Sequence, residues 1–166
     1  MTAGPTYVPI ATQTIVGSST QTVTFSSIPQ TYTDLVLTAY GQTVASGGSN
    51  LQIYLNGDTG NNYSRTYMIA NGSTFRGGWD ATLSCVIPGE LAYGSSSLSI
   101  VHFMNYSNAT NYKTILSKCD NVNSFTAHFV CNWRNTAAIN SINAGVYTGT
   151  FMTAGTVITL YGIASA

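Results

Sequence analysis

The chain has 166 residues, with five basic and five acidic side chains that cancel at pH 7. Only 6% of its residues are charged, against about 25% in ordinary soluble domains, and the charges are scattered singly. No basic stripe exists to neutralise phosphates or to meet an anionic lipid surface, so we expect neither a nucleic-acid nor a membrane partner. A chain of this length fits one domain and can bury a sizeable core.

The first 21 residues predict an extended N-terminal arm. Pro5 and Pro9 exclude a helix there, whereas the apolar residues at positions 7, 8 and 10 are unusual in a freely solvated tail. Two alternatives fit this pattern. The arm docks on a partner surface, or it forms an edge strand of its own sheet, where proline is tolerated.

Residues 22–166 predict a single β-sandwich domain. Residues 51–55, LQIYL, alternate apolar and polar side chains and stop at Asn56-Gly57, a strong signal for a tight turn. A longer alternation covers residues 125–133, and nowhere does an apolar spacing of three and four persist over three helical turns. We therefore expect an all-β fold of about ten short strands. The predicted core contains Leu35, Leu37, Leu51, Ile53, Leu55, Ile100, Phe103, Phe125, Phe129 and Trp133.

Glycine and proline predict where several strands end. Gly77-Gly78 breaks the chain after a strand at residues 63–70, and Pro88-Gly89 ends a short strand at residues 82–87. Residues 97–105 are apolar on both faces in their middle, which is typical of a central strand covered on both sides.

The cysteines predict no disulfide framework and no metal site. Cys85, Cys119 and Cys131 are odd in number, and their spacing matches no zinc or redox motif. We interpret them as reduced, buried, apolar side chains. The start of the chain lacks the pattern of a signal peptide, and no stretch reaches the roughly 18 apolar residues of a membrane span.

Candidate catalytic residues are few. His102 and His128 lie in predicted strands, where Asp80 or Asp120 could orient an imidazole, but no motif for a catalytic serine or cysteine accompanies them. The loop at residues 56–62 offers oxygen ligands with a single carboxylate, which favours a turn over a calcium site. The sequence therefore predicts a protein that is not an enzyme and that holds no metal or cofactor.

Several stretches carry a family resemblance. Residues 25–42 (FSSIPQTYTDLVLTAYGQ), 51–64 (LQIYLNGDTGNNYS) and 157–166 (VITLYGIASA), with NYKTILSK at 111–118 and Trp133-Arg134, resemble small structural proteins of tailed bacteriophages, including phages of cyanobacteria. The resemblance begins near residue 25 and implies a jelly-roll-like sandwich displayed on the virion surface. Its motifs are structural and include no catalytic group.

Two functions follow from the resemblance. The first is a capsid decoration (cement) protein, expected as a trimer, that bridges subunits of the major capsid protein. Its arm would make the contacts, through Tyr7, Val8, Pro9 and Ile10. The alternative is a tail-fibre or tail-tip module that binds a host-surface glycan, because aromatic rings stack on sugars. The aromatic candidates near loops are Tyr63, Tyr67, Trp79 and Tyr93, although such rings also fill cores and subunit interfaces.

Overall fold

The strands of the fold follow the alternation of the sequence. A computed structural model describes residues 6–121 and 125–164, and within these ranges the chain forms strands and no helix, which confirms the predicted all-β class. There are two strands more than the ten expected. Their bounds are β1 Tyr7–Thr14, β2 Thr22–Phe25, β3 Asp34–Thr43, β4 Ser49–Leu55, β5 Tyr63–Ala70, β6 Phe75–Leu83, β7 Val86–Tyr93, β8 Ser97–Phe103, β9 Lys113–Asn121, β10 Phe125–Trp133, β11 Ile142–Gly145 and β12 Val157–Ile163.

The hydrogen-bonded ladder runs through all twelve strands and folds into two layers. The larger layer is antiparallel in the order β1-β12-β3-β8-β9-β10-β5-β6. The smaller layer, β2-β11-β4-β7, joins it through two parallel pairs, Gln42 with Ala92 and Thr43 with Tyr93. Strand β7 packs face to face on β8, β9 and β10 and touches β5 only marginally. The finer jelly-roll topology stays a prediction.

The core lies between the two layers. Trp133, Phe103, Leu35 and Leu51 are fully buried, as the alternation predicted. Phe125 is half-buried at the margin of the core. The prediction for Ile100 is wrong: β8 directs Ser97, Ser99, Val101 and Phe103 inward, and Ile100 lies on the opposite face of the sheet.

Of the two alternatives for the arm, the structure has the edge strand. β1 pairs antiparallel with β12 from Tyr7 opposite Ile163 to Thr14 opposite Val157, with a bulge after Pro9. The proline is tolerated because β1 pairs on one side only. Residues 1–5, part of the predicted arm, lie outside the described residues.

The core also contains the side chains of three cysteines and one lysine. Cys85, Cys119 and Cys131 are free and buried, as predicted, and burial raises the pKa of Cys119 and of Cys131 to about 12. Lys113 is also buried, and its ammonium donates to the carbonyl oxygens of Asn111 at 2.9 Å and Thr136 at 3.0 Å. Burial lowers the pKa of Lys113.

Candidate interaction surfaces

The outer face of the larger sheet carries large apolar side chains on adjacent strands. Met68, Ile100, Leu116 and Val130, here called the outer apolar patch, are 51%, 41%, 41% and 45% exposed. Val130 pairs with Leu116 across β10 and β9, and the patch lines a shallow depression of about 500 Å³. Scattered exposed apolar residues are normal, but a contiguous group on one sheet face indicates an interaction surface.

Polar and charged groups lie beside the outer apolar patch, and His128 and Lys118 lie between Met68 and Ile100 in one row of the sheet. Nε2 of His102 lies 3.0 Å from Oδ2 of Asp34, whose other oxygen accepts a hydrogen bond from the backbone N of Asn105. His128 and Lys118 pair across β10 and β9. We expected Asp80 or Asp120 to orient a histidine. For His102 this prediction is wrong, because its partner is Asp34, which is close in space and distant in sequence.

The predicted arm contacts lie at one edge of this same sheet. Tyr7 and Pro9 are exposed on β1, and Val8 and Ile10 are partly buried, with Ile10 packed against the core. The ring of Tyr7 meets that of Tyr161 edge-on, with centroids 6.2 Å apart. Whether these four side chains contact another subunit stays a prediction.

Tyr63 is wrong as a glycan contact. It is fully buried, and its ring stacks on that of Trp133 with centroids 6.3 Å apart. Its hydroxyl donates to the carbonyl oxygen of Asp58 at 2.9 Å and accepts from the backbone N of Leu55 at 3.2 Å. The strand alternation that places Tyr63 at the start of β5 turns its ring inward.

The other three aromatic candidates do not converge on one site. Trp79 is 72% exposed on the outer side of β6 and lines a depression with Asn132 and Arg134. Tyr93 is exposed at the end of β7 and lines a different depression. Tyr67 is half-buried on the inner side of β5. The four predicted aromatic residues therefore do not form a single glycan site.

The loop after β4 is structural. Asn56 and Gly57 have positive φ values of 53° and 69°, as the turn signal predicts. Asp58 then accepts hydrogen bonds from Nε1 of Trp133 at 2.7 Å and from the side chain of Asn62 at 3.0 Å. Burial acts to raise the pKa of Asp58, but these bonds outweigh it and the pKa is lowered. The carboxylate is thus occupied within the fold.

A cleft that sequence reasoning missed lies where the β5–β6 hairpin extends past β7, the last strand of the smaller sheet. This hairpin cleft of about 280 Å³ is lined by Asn50, Arg65, Tyr67, Arg76 and Glu90 with apolar neighbours. Its polar residues come from four strands and are spread over 40 positions of the sequence, so no local motif announces them.

Arg65 forms a fixed wall of the hairpin cleft. Its Nε lies 2.6 Å from Oδ2 of Asp80, and Nη1 donates to the carbonyl oxygen of Ile87 at 3.5 Å. The guanidinium also lies over the ring of Tyr67, 5.0 Å from its centroid. Across the cleft, Oε1 of Glu90 accepts from the side chain of Asn121 at 2.8 Å, and burial raises the pKa of Glu90.

Residues 6–121 and 125–164 contain neither a metal-binding cluster nor a membrane-spanning helix. No group of three or more His, Cys, Asp or Glu side chains there is placed to hold a metal ion. In the same part of the chain, no helix is long and apolar enough to cross a membrane.

Comparisons with known proteins give only remote similarity. No family model and no curated protein matches the chain. Among solved structures, it is similar to alginate lyase Aly36B, with a TM-score of 0.38 and 10% identity over 92% of this chain and 78% of the lyase. A double mutant of that lyase in complex with an alginate tetrasaccharide gives a TM-score of 0.33 and 8% identity, over 93% of this chain and 80% of the other.

These neighbours correct one prediction. The sequence predicted that the chain is not an enzyme, and the structures it is similar to are those of an enzyme, so that exclusion is withdrawn. At these TM-scores and identities, the similarity assigns no lyase activity to this chain.

Proposed function

We propose that this chain is a structural protein of a tailed-phage particle, a capsid decoration protein that bridges subunits of the major capsid protein at the virion surface. The observation that carries the proposal is the outer apolar patch, because Met68, Ile100, Leu116 and Val130 present apolar area to solvent in the absence of a partner. The resemblance of the sequence to small phage structural proteins supplies the kind of partner.

The outer face is large enough for stable attachment. Eight strands about 4.8 Å apart, each about seven residues long at 3.3 Å per residue, span about 900 Å². A standard protein interface buries about 800 Å² on each partner. Polar and charged side chains lie beside the patch, namely Asp34, His102, Lys118 and His128. Asp34 and Lys118 have opposite charges, and such polar surroundings fix the orientation of a docked surface.

The experiment measures abundance and attachment together. In phage particles purified from the culture that expresses this gene, gel densitometry should find the chain at a copy number near that of the major capsid protein. A scarce chain, at a few copies per particle, would favour the tail-fibre alternative and contradict a decoration role.

A variant then tests the surface itself. Leu116→Lys places a charge in the middle of the outer apolar patch and should abolish rebinding to particles that have been stripped of the protein. Val16→Lys is the matched control, because Val16 is a fully solvated apolar residue in the loop after β1. Equal rebinding of the two variants would show that the outer face is not the attachment surface.

A further inference from the structure

The scarce charges of this chain are concentrated at one place. Of five basic and five acidic side chains, Arg65, Arg76 and Glu90 line the hairpin cleft, and Asp80 pairs with Arg65 beside it. The pair of Arg65 and Asp80, whose side chains are 18% and 38% exposed, supports the hairpin, but Arg76 is exposed and forms no ion pair within the described residues, so the fold gains nothing from its charge at this place. Charges collected from distant parts of a nearly uncharged sequence indicate a binding site.

Several polar groups in the hairpin cleft have no hydrogen-bond partner among the described residues. Within residues 6–121 and 125–164, the guanidinium of Arg76, the hydroxyl of Tyr67 and the side-chain amide of Asn50 make no hydrogen bond or ion pair. Glu90 accepts a hydrogen bond from Asn121 through Oε1, and in the same part of the chain its Oε2 accepts none. Together these groups offer donors and acceptors to a molecule that enters the cleft.

The fold keeps the walls of the cleft in place. Asp80 and the carbonyl of Ile87 hold the guanidinium of Arg65, which covers one side of the Tyr67 ring. Gly78 makes room for that ring, because a Cβ at this position would lie 2.5 Å from the Tyr67 hydroxyl. A side chain held in this way loses little conformational freedom when it binds a ligand.

The chemistry of the lining selects a class of ligand. We propose that the hairpin cleft binds an acidic saccharide, with Arg76 contacting the carboxylate of a sugar unit and with Glu90 and Asn50 accepting hydrogen bonds from its hydroxyl groups. A planar guanidinium matches a carboxylate in bidentate geometry. Glu90 repels the double negative charge of a phosphate group more strongly than the single charge of a sugar carboxylate, and the hydroxyl groups of a sugar can donate hydrogen bonds to it.

The size of the cleft agrees with a single sugar unit bound at a time. Its volume of about 280 Å³ is just below the range of about 300–1,000 Å³ that holds drug-sized ligands. Arg76 lines the cleft and is itself exposed, so a longer saccharide can continue past it into solvent. This site differs from the aromatic glycan contacts expected from the sequence, of which it retains only Tyr67.

The test is a calorimetric titration of the whole protein with defined probes. A tetrasaccharide of hexuronic acid units should bind, and maltotetraose, which is neutral and of equal length, should not. Arg76→Gln should weaken binding at least about tenfold, which corresponds to 1.4 kcal/mol. Tyr67→Phe should weaken it by a smaller factor. Tyr112→Phe, the matched control for Tyr67→Phe, removes the hydroxyl of an exposed tyrosine outside the cleft and should leave the affinity unchanged.

Thermal unfolding verifies that each variant is folded, as we expect for Arg76→Gln, because the Arg76 side chain is exposed and makes no hydrogen bond or ion pair with any described residue. The proposal is overturned if the acidic tetrasaccharide does not bind at millimolar concentration, or if Arg76→Gln binds it as well as the wild type. If maltotetraose binds as tightly as the acidic tetrasaccharide, the cleft does not select an acidic sugar, and the proposal is wrong on that point. Equal affinity for inorganic sulfate would show simple anion attraction without recognition of a sugar.

Discussion

A single residue joins three elements of the core through its side chain and its backbone. Asp58, in the loop after β4, accepts the indole hydrogen of Trp133 on β10, and the backbone carbonyl of Asp58 accepts the hydroxyl hydrogen of Tyr63 on β5. Both rings are fully buried and stacked. Buried indole and phenol groups need hydrogen-bond partners, so the loop provides what the apolar core cannot.

We predict that Asp58→Ala lowers the free energy of unfolding by about 1–3 kcal/mol, the cost of a buried donor left without its acceptor. Asp58→Asn retains an acceptor oxygen and should cost less. Denaturant unfolding of both variants measures the difference. Asp120→Ala, which removes an exposed carboxylate from β9, is the control and should have little effect. Equal stability of Asp58→Ala and the wild type would contradict a supporting role for this loop.

The same carboxylate predicts how stability depends on pH. Hydrogen bonds lower the pKa of Asp58 in the folded protein, so its contribution is complete above the unfolded value near 4 and is lost as the pH falls through the folded pKa. Unfolding measured from pH 7 to pH 2 should therefore show the gap between wild type and Asp58→Ala narrowing below about pH 4. A gap that is constant over this range would contradict the assignment.

At the scale of the strand, residues that predicted breaks in the sequence have packing roles. Pro88 and Gly89 lie inside β7, whose position at the margin of the smaller sheet tolerates proline. A Cβ at Gly89 would lie 2.4 Å from Oγ of Ser99, so the glycine allows the two layers to approach. Gly78 likewise lies within β6 and accommodates Tyr67. From the sequence alone, glycine and proline predict turns. Their packing roles cannot be read there, because the side chain that needs the space beside each glycine is distant in the sequence.

The outcome of each strand prediction depended on what covers its faces. The alternation in β10 is unambiguous and correctly placed Phe129 and Trp133 in the core. β8 is apolar on both faces, and only the absence of a layer over its outer face leaves Ile100 exposed. The hairpin cleft could not be predicted for a related reason. Its charged residues lie on different strands, and they are close in space only because the smaller sheet ends at β7, beside the β5–β6 hairpin.

Deletion of residues 1–13 tests the role of β1. Ile10 and Ala11 pack against the core, and burial of one isoleucine side chain contributes about 1.5–3 kcal/mol. In a domain of this size, each kcal/mol corresponds to about 2–4 °C in melting temperature, so we expect a fall of at least about 3 °C. Gln13→Ala, at an exposed position of the same strand, should leave the melting temperature unchanged. An unchanged melting temperature on deletion would show that β1 acts outside its own sheet.

At the scale of the molecule, one edge of the larger sheet favours self-association. Among the described residues, β6 pairs with β5 on one side only, and few charges repel a second copy. We predict a trimer at micromolar concentration by light scattering, as the resemblance implies for a particle-surface protein. Phe75→Lys, at an exposed position of β6, should reduce it to a monomer, whereas Leu116→Lys, on the face proposed to attach to the capsid, should leave the trimer intact. A wild-type monomer at all concentrations would contradict self-association in solution.

The pairing of the first strand with the last affects how the chain is made. β1 leaves the ribosome about 150 residues before β12, which at about 5–20 residues per second is a delay of roughly 8–30 s. During that time its apolar residues have no native neighbour along the larger sheet. The pairing of β1 with β12 is slow compared with helix formation, because the intervening chain must lose conformational entropy before the two strands gain their hydrogen bonds. Nascent chains stalled before residue 157 should therefore expose β1 to chaperones and proteases, and synthesis of β12 allows the two strands to pair.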